Sequence, residues 1–326
     1  MAGIAVGNLF GIRLEGWSKH HVAETYPNGV REITALPGFP DDDDLAQAIV
    51  IAEAAADGPL DPEDLGRRLW DWAEANGAGM GGLTRDALAR YGGKHPQRLA
   101  RKRRDGAVRD PTGVPILEAS RTAWEGYRAG NGAAMRCAPI AVRWRDEPVK
   151  LVRNSIVSAV PTHWDPRCGW TCALLNLAAA TALRGDSPET LKPDSLLEDG
   201  ARHVGASQDE LERFGYDAHA PAGICEAVRE AFDTELDDLP CAGPDKGFTL
   251  LALRIGLLVF WRASSFEEGL RSVIEAGGDT DTNGAIAGAL LGARFGLEEI
   301  PPRWRDRVAE LRAGRTQMEE LAGRLL

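Results

Sequence analysis

The sequence predicts an all-α fold, and three observations carry that prediction. Apolar residues recur at helical period through most of the 326 residues. Alternating β-branched runs, the mark of strands, are almost absent. Capping residues followed by acids, the signature of helix starts, stand ahead of apolar runs at Asp61-Pro62-Glu63-Asp64 and Ser264-Ser265-Phe266-Glu267-Glu268.

In chain order, the opening MAGIAVGNLFGI is apolar but lacks a basic n-region and a clear cleavage site, so it does not read as a signal peptide. Helices are predicted over Leu45–Ala56, Pro62–Asn76, Gly169–Leu183 and Ser207–Phe214. Four more follow at Ala222–Phe232, Thr249–Trp261, Ser265–Ala276 and Gly284–Phe295. The longest apolar stretch, Leu250 to Trp261, is interrupted by Arg254 and is too short to span a bilayer. Glycine-containing loops lie between helices at residues 77–82 and 130–136. The first lacks the Gly-Lys-Ser/Thr of a phosphate-binding P-loop, and neither has the strand-then-helix setting of a dinucleotide fingerprint. Lys94 to Arg104 (KHPQRLARKRR) is strongly basic and reads first as a solvated face, second as an electrostatic guide for an anionic substrate.

With 44% hydrophobic residues the chain can bury a large core, and its length allows one or two domains. No linker, repeat or shift in composition marks a boundary, so a single domain over residues 1–326 is expected. The net charge of −11 argues against a dedicated nucleic-acid-binding domain. Five cysteines, an odd number with no metal-type pair, read as reduced thiols of a cytoplasmic protein.

Two acidic clusters concentrate the chemistry. Ala276-Gly277-Gly278-Asp279-Thr280-Asp281-Thr282-Asn283 precedes a small-residue helical run, and Pro40-Asp41-Asp42-Asp43-Asp44 precedes another. Taken singly, the first is a set of N-caps and the second a solvated loop. Taken together, Asp42, Asp43, Asp44, Asp279 and Asp281 supply five negative charges and Thr282 a neutral oxygen. That is enough to hold two divalent ions without Cys or His.

Four blocks, in order, resemble the ADP-ribosylglycohydrolases. They are Gly7-Asn8-Leu9-Phe10-Gly11 with Glu15, then Asp42-Asp43-Asp44, then Gly130-Asn131-Gly132-Ala133-Ala134-Met135-Arg136 with Ala138-Pro139 and Thr162-His163, and last Gly277-Gly278-Asp279-Thr280-Asp281-Thr282. The last matches the family pattern letter for letter. The register of the second is open by one residue. Asp42–Asp44 is preferred because Ala52-Glu53 then falls where the family helix often has Ala-Glu.

The resemblance implies a compact all-α fold around a dinuclear Mg²⁺ or Mn²⁺ centre, with Asp42, Asp43, Asp44, Asp279, Asp281 and Thr282 as ligands. Gly130, Asn131, Gly132 and Met135 would line the cleft for ADP-ribose, and His163 would stand near its phosphates or ribose. The implied reaction is hydrolysis of an α-(N- or O-)glycosidic bond at C1″, freeing ADP-ribose from a protein, nucleic-acid or small-molecule acceptor. Asp43 or Asp44 would act as general base or acid, and Glu15 would position substrate or assist. Two alternatives stand: an N-glycosidase of the same fold acting on another nucleoside-like or ribosylated small molecule, and a non-catalytic ADP-ribose-binding relative.

Departures from the family pattern are Asn8 for the usual Asp, Asp42 for Thr, Leu45 for Thr, and Ala129 where some acceptor hydrolases place an adenine-stacking aromatic. Trp124 and Tyr127 are nearby substitutes. Arg136 reads as the partner of a buried acid, and the nine tryptophans as core or rim.

Overall fold

Backbone meets backbone where the first long helix packs on the last glycine-rich one, and that seam organises the molecule. The computed structural model describes residues 1–34, 42–99, 110–124, 128–311 and 314–326. In chain order these form α1 (Ala2–Gly11), α2 (Lys19–Thr25), α3 (Asp43–Asp57), α4 (Pro62–Ala75), α5 (Gly82–Tyr91), α6 (Ile116–Ala123), α7 (Pro139–Trp144) and α8 (Pro148–Ala159). They continue as α9 (Pro166–Leu183), α10 (Pro193–Glu212), α11 (Ile224–Asp233), α12 (Thr249–Arg262), α13 (Phe266–Glu275), α14 (Thr280–Phe295), α15 (Pro302–Val308) and α16 (Gly314–Leu325). Among the described residues there is no strand, only isolated bridges between Ser18 and Gly277 and between Gly130 and Phe248.

Helices α1 and α14 run antiparallel, with Gly3, Gly7 and Gly11 facing Gly288, Gly284 and Thr280. A methyl group on Gly7 would stand 1.9 Å from the Gly284 carbonyl oxygen, and one on Gly3 2.1 Å from that of Gly288. Four-residue spacing places these glycines on one stripe of each helix. At the end of the stripe Thr280 Oγ1 donates to the Gly11 carbonyl at 2.8 Å. The seam therefore carries the N-terminus of α14 to the chain leaving α1. Around it α3, α9, α12 and α13 pack their apolar faces into a continuous core. Trp70, Trp144, Trp170 and Trp304 are buried there, as expected of tryptophans by default.

Two helices differ from their sequence expectation for physical reasons. Helix α10 begins fourteen residues before the predicted Ser207, with Pro193 at its first turn. Gly200 breaks the visible apolar period there because it sits beneath the Leu174 and Trp170 side chains. Helix α14 starts at Thr280, not Gly284, so the acidic motif is its first turn. Periodicity did not pick out α5 or α8. No helix among the described residues is long and apolar enough to cross a membrane. The five cysteines are free thiols.

Candidate metal centre

Asp42 and Asp279 occupy the N-cap positions of α3 and α14, yet neither side chain accepts a capping hydrogen bond. True caps occur elsewhere in the chain, where Asp61 accepts from the amides of Glu63 and Asp64 and Ser265 accepts from that of Glu268. The two acidic helix starts instead aim their carboxylates at each other. Glu15, Asp279 and Asp281 bring one oxygen each within 4.8 Å of one another, and so do Asp42, Asp44 and Asp281. Asp281 belongs to both trios. Among the described residues the side-chain donor to the second trio is neutral: Asn8 Nδ2 reaches Asp42 Oδ2 at 3.3 Å and Asp44 Oδ2 at 3.0 Å. An asparagine at this position bridges two carboxylates that an aspartate would repel.

Burial and mutual repulsion raise Glu15, Asp42, Asp44 and Asp281 above their ordinary range. Burial comes first for Asp44, followed by the charges of Asp281 and Asp43, and the group lies well above the usual carboxylate range. Asp281 is pushed up to about 9 by burial and then by Asp279 and Glu15. Asp42 and Glu15 are raised, again chiefly by burial. Asp44 Oδ1, Asp281 Oδ1 and Asn283 Oδ1 are buried with no hydrogen-bond partner. Leaving such an acceptor unsatisfied costs about 1–3 kcal/mol, more when it is charged. Hard oxygens, orphaned and crowded, fit hard divalent cations of the Mg²⁺ or Mn²⁺ class.

Asp43 stands apart from both trios. Its Oδ2 accepts from Gln47 Nε2 at 3.1 Å, and burial, with Asp42 next, lifts it to about 7. Thr282 is buried, its hydroxyl 3.9 Å from the Met135 sulfur.

Glu15, Asp42, Asp43, Asp279, Asp281 and Thr282 form one wall of a cleft of about 360 Å³, with Asp44 buried behind them. The opposite wall is the loop from Gly130, continuing as a 3-10 helix over Asn131–Arg136, with His163 behind it. Asn131 Nδ2 donates to Asp279 Oδ2 at 2.7 Å, tying the walls together. Gly130, Gly132, Met135 and His163 all face the cleft. Backbone bonds from Asn131 N to the Gly247 oxygen (3.0 Å) and from Thr249 N to the Ala129 oxygen (2.9 Å) hold this loop in place.

Sequence reasoning missed several cleft residues. Gly79 has φ +79, and a Cβ there would fall 2.3 Å from Asp42 Oδ1 and 2.6 Å from Asp43 Oδ1. The 77–82 loop is thus shaped to clear the carboxylates, a role for which its glycines were the only visible signal. Thr84, Arg128 and Lys246 also line the cleft, and no local motif marks them.

Arg136 requires a correction. It is fully buried but bonds no acid: its Nη atoms reach Gln47 Oε1, the Ser158 carbonyl and Thr162 Oγ1, and its Nε has no partner. Trp124 donates its indole N–H to Asp165 Oδ2 at 2.8 Å. In the basic stretch, Lys94 pairs with Glu74 and lies over the Trp70 ring. Residues 100–104 of that stretch, Asp41 and Tyr127 lie outside the described residues.

Comparison with known proteins gives this geometry its family. The sequence pattern of the ADP-ribosylglycohydrolases matches residues 1–326. The chain belongs to the ADP-ribosylglycohydrolase family. It is 25% identical over 307 residues to the ADP-ribosyl-(dinitrogen reductase) glycohydrolase of Rhodospirillum rubrum, covering 93% of this chain and 86% of that one. It is 23% identical over 331 residues to the ADP-ribosylarginine hydrolase Tri1 of Pseudomonas putida, covering 95% and 73%. A solved structure described as an ADP-ribosylglycohydrolase-related protein complex superposes with a TM-score of 0.68 at 29% identity, covering 99% of this chain and 94% of that one. The all-α expectation is met by this ADP-ribosylglycohydrolase fold.

Proposed function

We propose that the protein hydrolyses the α-glycosidic bond at C1″ of ADP-ribose, releasing it from a modified acceptor, with divalent cations of the Mg²⁺ or Mn²⁺ class. The observation that carries this reading is the pair of carboxylate trios sharing Asp281 on one wall of the cleft. Asp42, Asp44, Asp279, Asp281 and Glu15 would hold the ions, with Thr282 adjacent. When bound, such ions supply Lewis-acid polarisation and a template for vicinal ribose hydroxyls.

Asp43 is the acid–base group of the reading. Outside both trios and on the cleft surface, it takes a proton from the attacking water or gives one to the leaving group. Asp44, buried and held by Asn8, is assigned to ion binding alone. The neighbouring carboxylates also stabilise oxocarbenium charge at the anomeric carbon. Asn131, the glycines of its loop, Met135 and His163 bind and orient the ADP-ribosyl group and keep bulk water from it. Relatives named for dinitrogen reductase and for arginine support a modified side chain as acceptor.

The test is release of free ADP-ribose from ADP-ribosylated arginine, serine and nucleic-acid substrates with Mg²⁺ or with EDTA. Mg²⁺-dependent release from one of them, abolished in Asp281→Ala with the fold intact, is the expected result; full activity of Asp281→Ala would sink the reading. A second reading, an N-glycosidase of the same fold acting on another ribosylated small molecule, is favoured by Ala129 at the adenine-stacking position. Silence across the panel with metal bound would select it.

A further inference from the structure

Arg136 lies beneath the substrate wall rather than in it, and it can only donate hydrogen bonds. Its Nη2 donates to Thr162 Oγ1 at 2.7 Å and to the Ser158 carbonyl at 3.0 Å. Thr162 Oγ1 lies 2.8 Å from His163 Nδ1, and no other partner of that hydroxyl is present among the described residues. One lone pair of the hydroxyl is taken by the guanidinium, and the hydroxyl proton has no acceptor among the described residues other than Nδ1. The arrangement that leaves that buried proton satisfied has Oγ1–H donating to Nδ1, with the ring proton on Nε2. The Nε2 edge faces the cleft: a methyl group on Gly132 would lie 3.1 Å from it and one on Gly130 3.6 Å.

We propose that Arg136, acting through Thr162, fixes His163 as the Nε2–H tautomer and so makes it an obligate hydrogen-bond donor into the cleft. The ligand group that meets His163 is therefore an acceptor oxygen, of a phosphate or a ribose, and a donor group there is rejected. The recognition half of this assignment rests on the cleft being the ADP-ribose site; the tautomer does not. Burial, followed by the charges of Arg136 and Arg128, holds the imidazole well below its ordinary range, so the ring stays neutral. The same donor-only logic acts on the other wall. Gln47 must offer Oε1 to Arg136, which turns its Nε2 toward Asp43. Arg136 is thus a positioning residue that touches neither substrate nor ion.

The experiment is a long-range ¹H–¹⁵N correlation spectrum of the full chain, labelled with ¹⁵N-histidine and saturated with Mg²⁺, His163→Gln identifying the His163 signals. The expected spectrum shows Nε2 protonated and Nδ1 bare. Thr162→Val should populate the other tautomer and weaken binding of ADP-ribose about tenfold, the scale of one well-placed hydrogen bond. Thr162→Ser, which keeps the hydroxyl, should restore both, and Arg136→Met should mix the tautomers. A proton on Nδ1 in the unsubstituted protein overturns the proposal even if every variant fails to fold. A pure Nε2–H signal in Thr162→Val, or in Arg136→Met, overturns it as well. Absence of ADP-ribose binding alongside the expected tautomer refutes the substrate reading alone.

Discussion

Asp281 carries the central conflict of the site, because burial and three acidic neighbours oppose the charge that ion binding requires. Asp281→Asn should therefore raise the melting temperature of the ion-free protein while abolishing hydrolysis. Calorimetry in EDTA beside an activity assay checks both. A carboxyl group whose folded pKa is raised keeps its proton when the unfolded chain has lost it, so stability declines as pH rises. For Asp281 the window runs from 3.8 to about 9, and for Asp43 from 3.8 to about 7. His163 works the other way, because its folded pKa is depressed below 6.5 and its contribution is lost only on acidification. Above pH 6.5 the acids oppose the buried amino group of Met1, whose folded pKa is lowered from 8.0 to about 6 and whose contribution rises with pH up to 8. In EDTA the stability should fall between pH 6.5 and 9, by up to about 1.4 kcal/mol per pH unit for each retained proton, and the melting temperature should fall with it. Saturating Mg²⁺ should flatten the slope, and an equal slope with and without the ion would contradict the assignment. The acids were readable in the sequence because they are contiguous and stand before helices. Gly79 was not, since its contact with Asp42 and Asp43 joins segments that sequence spacing does not relate.

Helices α1 and α14 meet through glycine, and a methyl group at Gly7 has nowhere to go. Gly7→Ala should destabilise the protein by about 1–3 kcal/mol or more, the cost of overpacking against backbone. Gly205 offers the contrast within α10, since nothing stands within 4 Å of a Cβ there. Gly205→Ala should stabilise by up to about 1 kcal/mol, and urea denaturation of the two variants compares them directly. The run from Gly284 to Phe295 was legible as a buried helix, because small and apolar residues fill it. Its partner was not, since four-residue glycine spacing announces a close approach without saying to what. Similarly, the length of α10 was hidden by Gly200, whose missing side chain is itself the packing feature.

At the scale of the whole molecule, the trios draw residues from both ends of the chain, Asp42 and Asp44 on one side and Asp281 on the other. We propose from this that residues 1–326 unfold as one unit. Thermal denaturation should show one transition that moves as a whole on addition of Mg²⁺; two transitions, only one responding to the ion, would refute the proposal. The absence of any linker-like composition points the same way. The cleft wall holding Thr84, Arg128 and Lys246 was not anticipated, because it is assembled from α5 and two loops that no short motif connects.

The seam between α1 and α14 has a consequence for how such a site can diversify. The gap between those helices is the thickness of two peptide backbones, a dimension that no exchange of side chains can shrink and that a single methyl group would force open. The separation between the chain leaving α1 and the first turn of α14 is therefore a constant of the architecture rather than an adjustable parameter. New preferences among leaving groups must then be written in the loops across the cleft, with the ion-binding wall left as an invariant ruler.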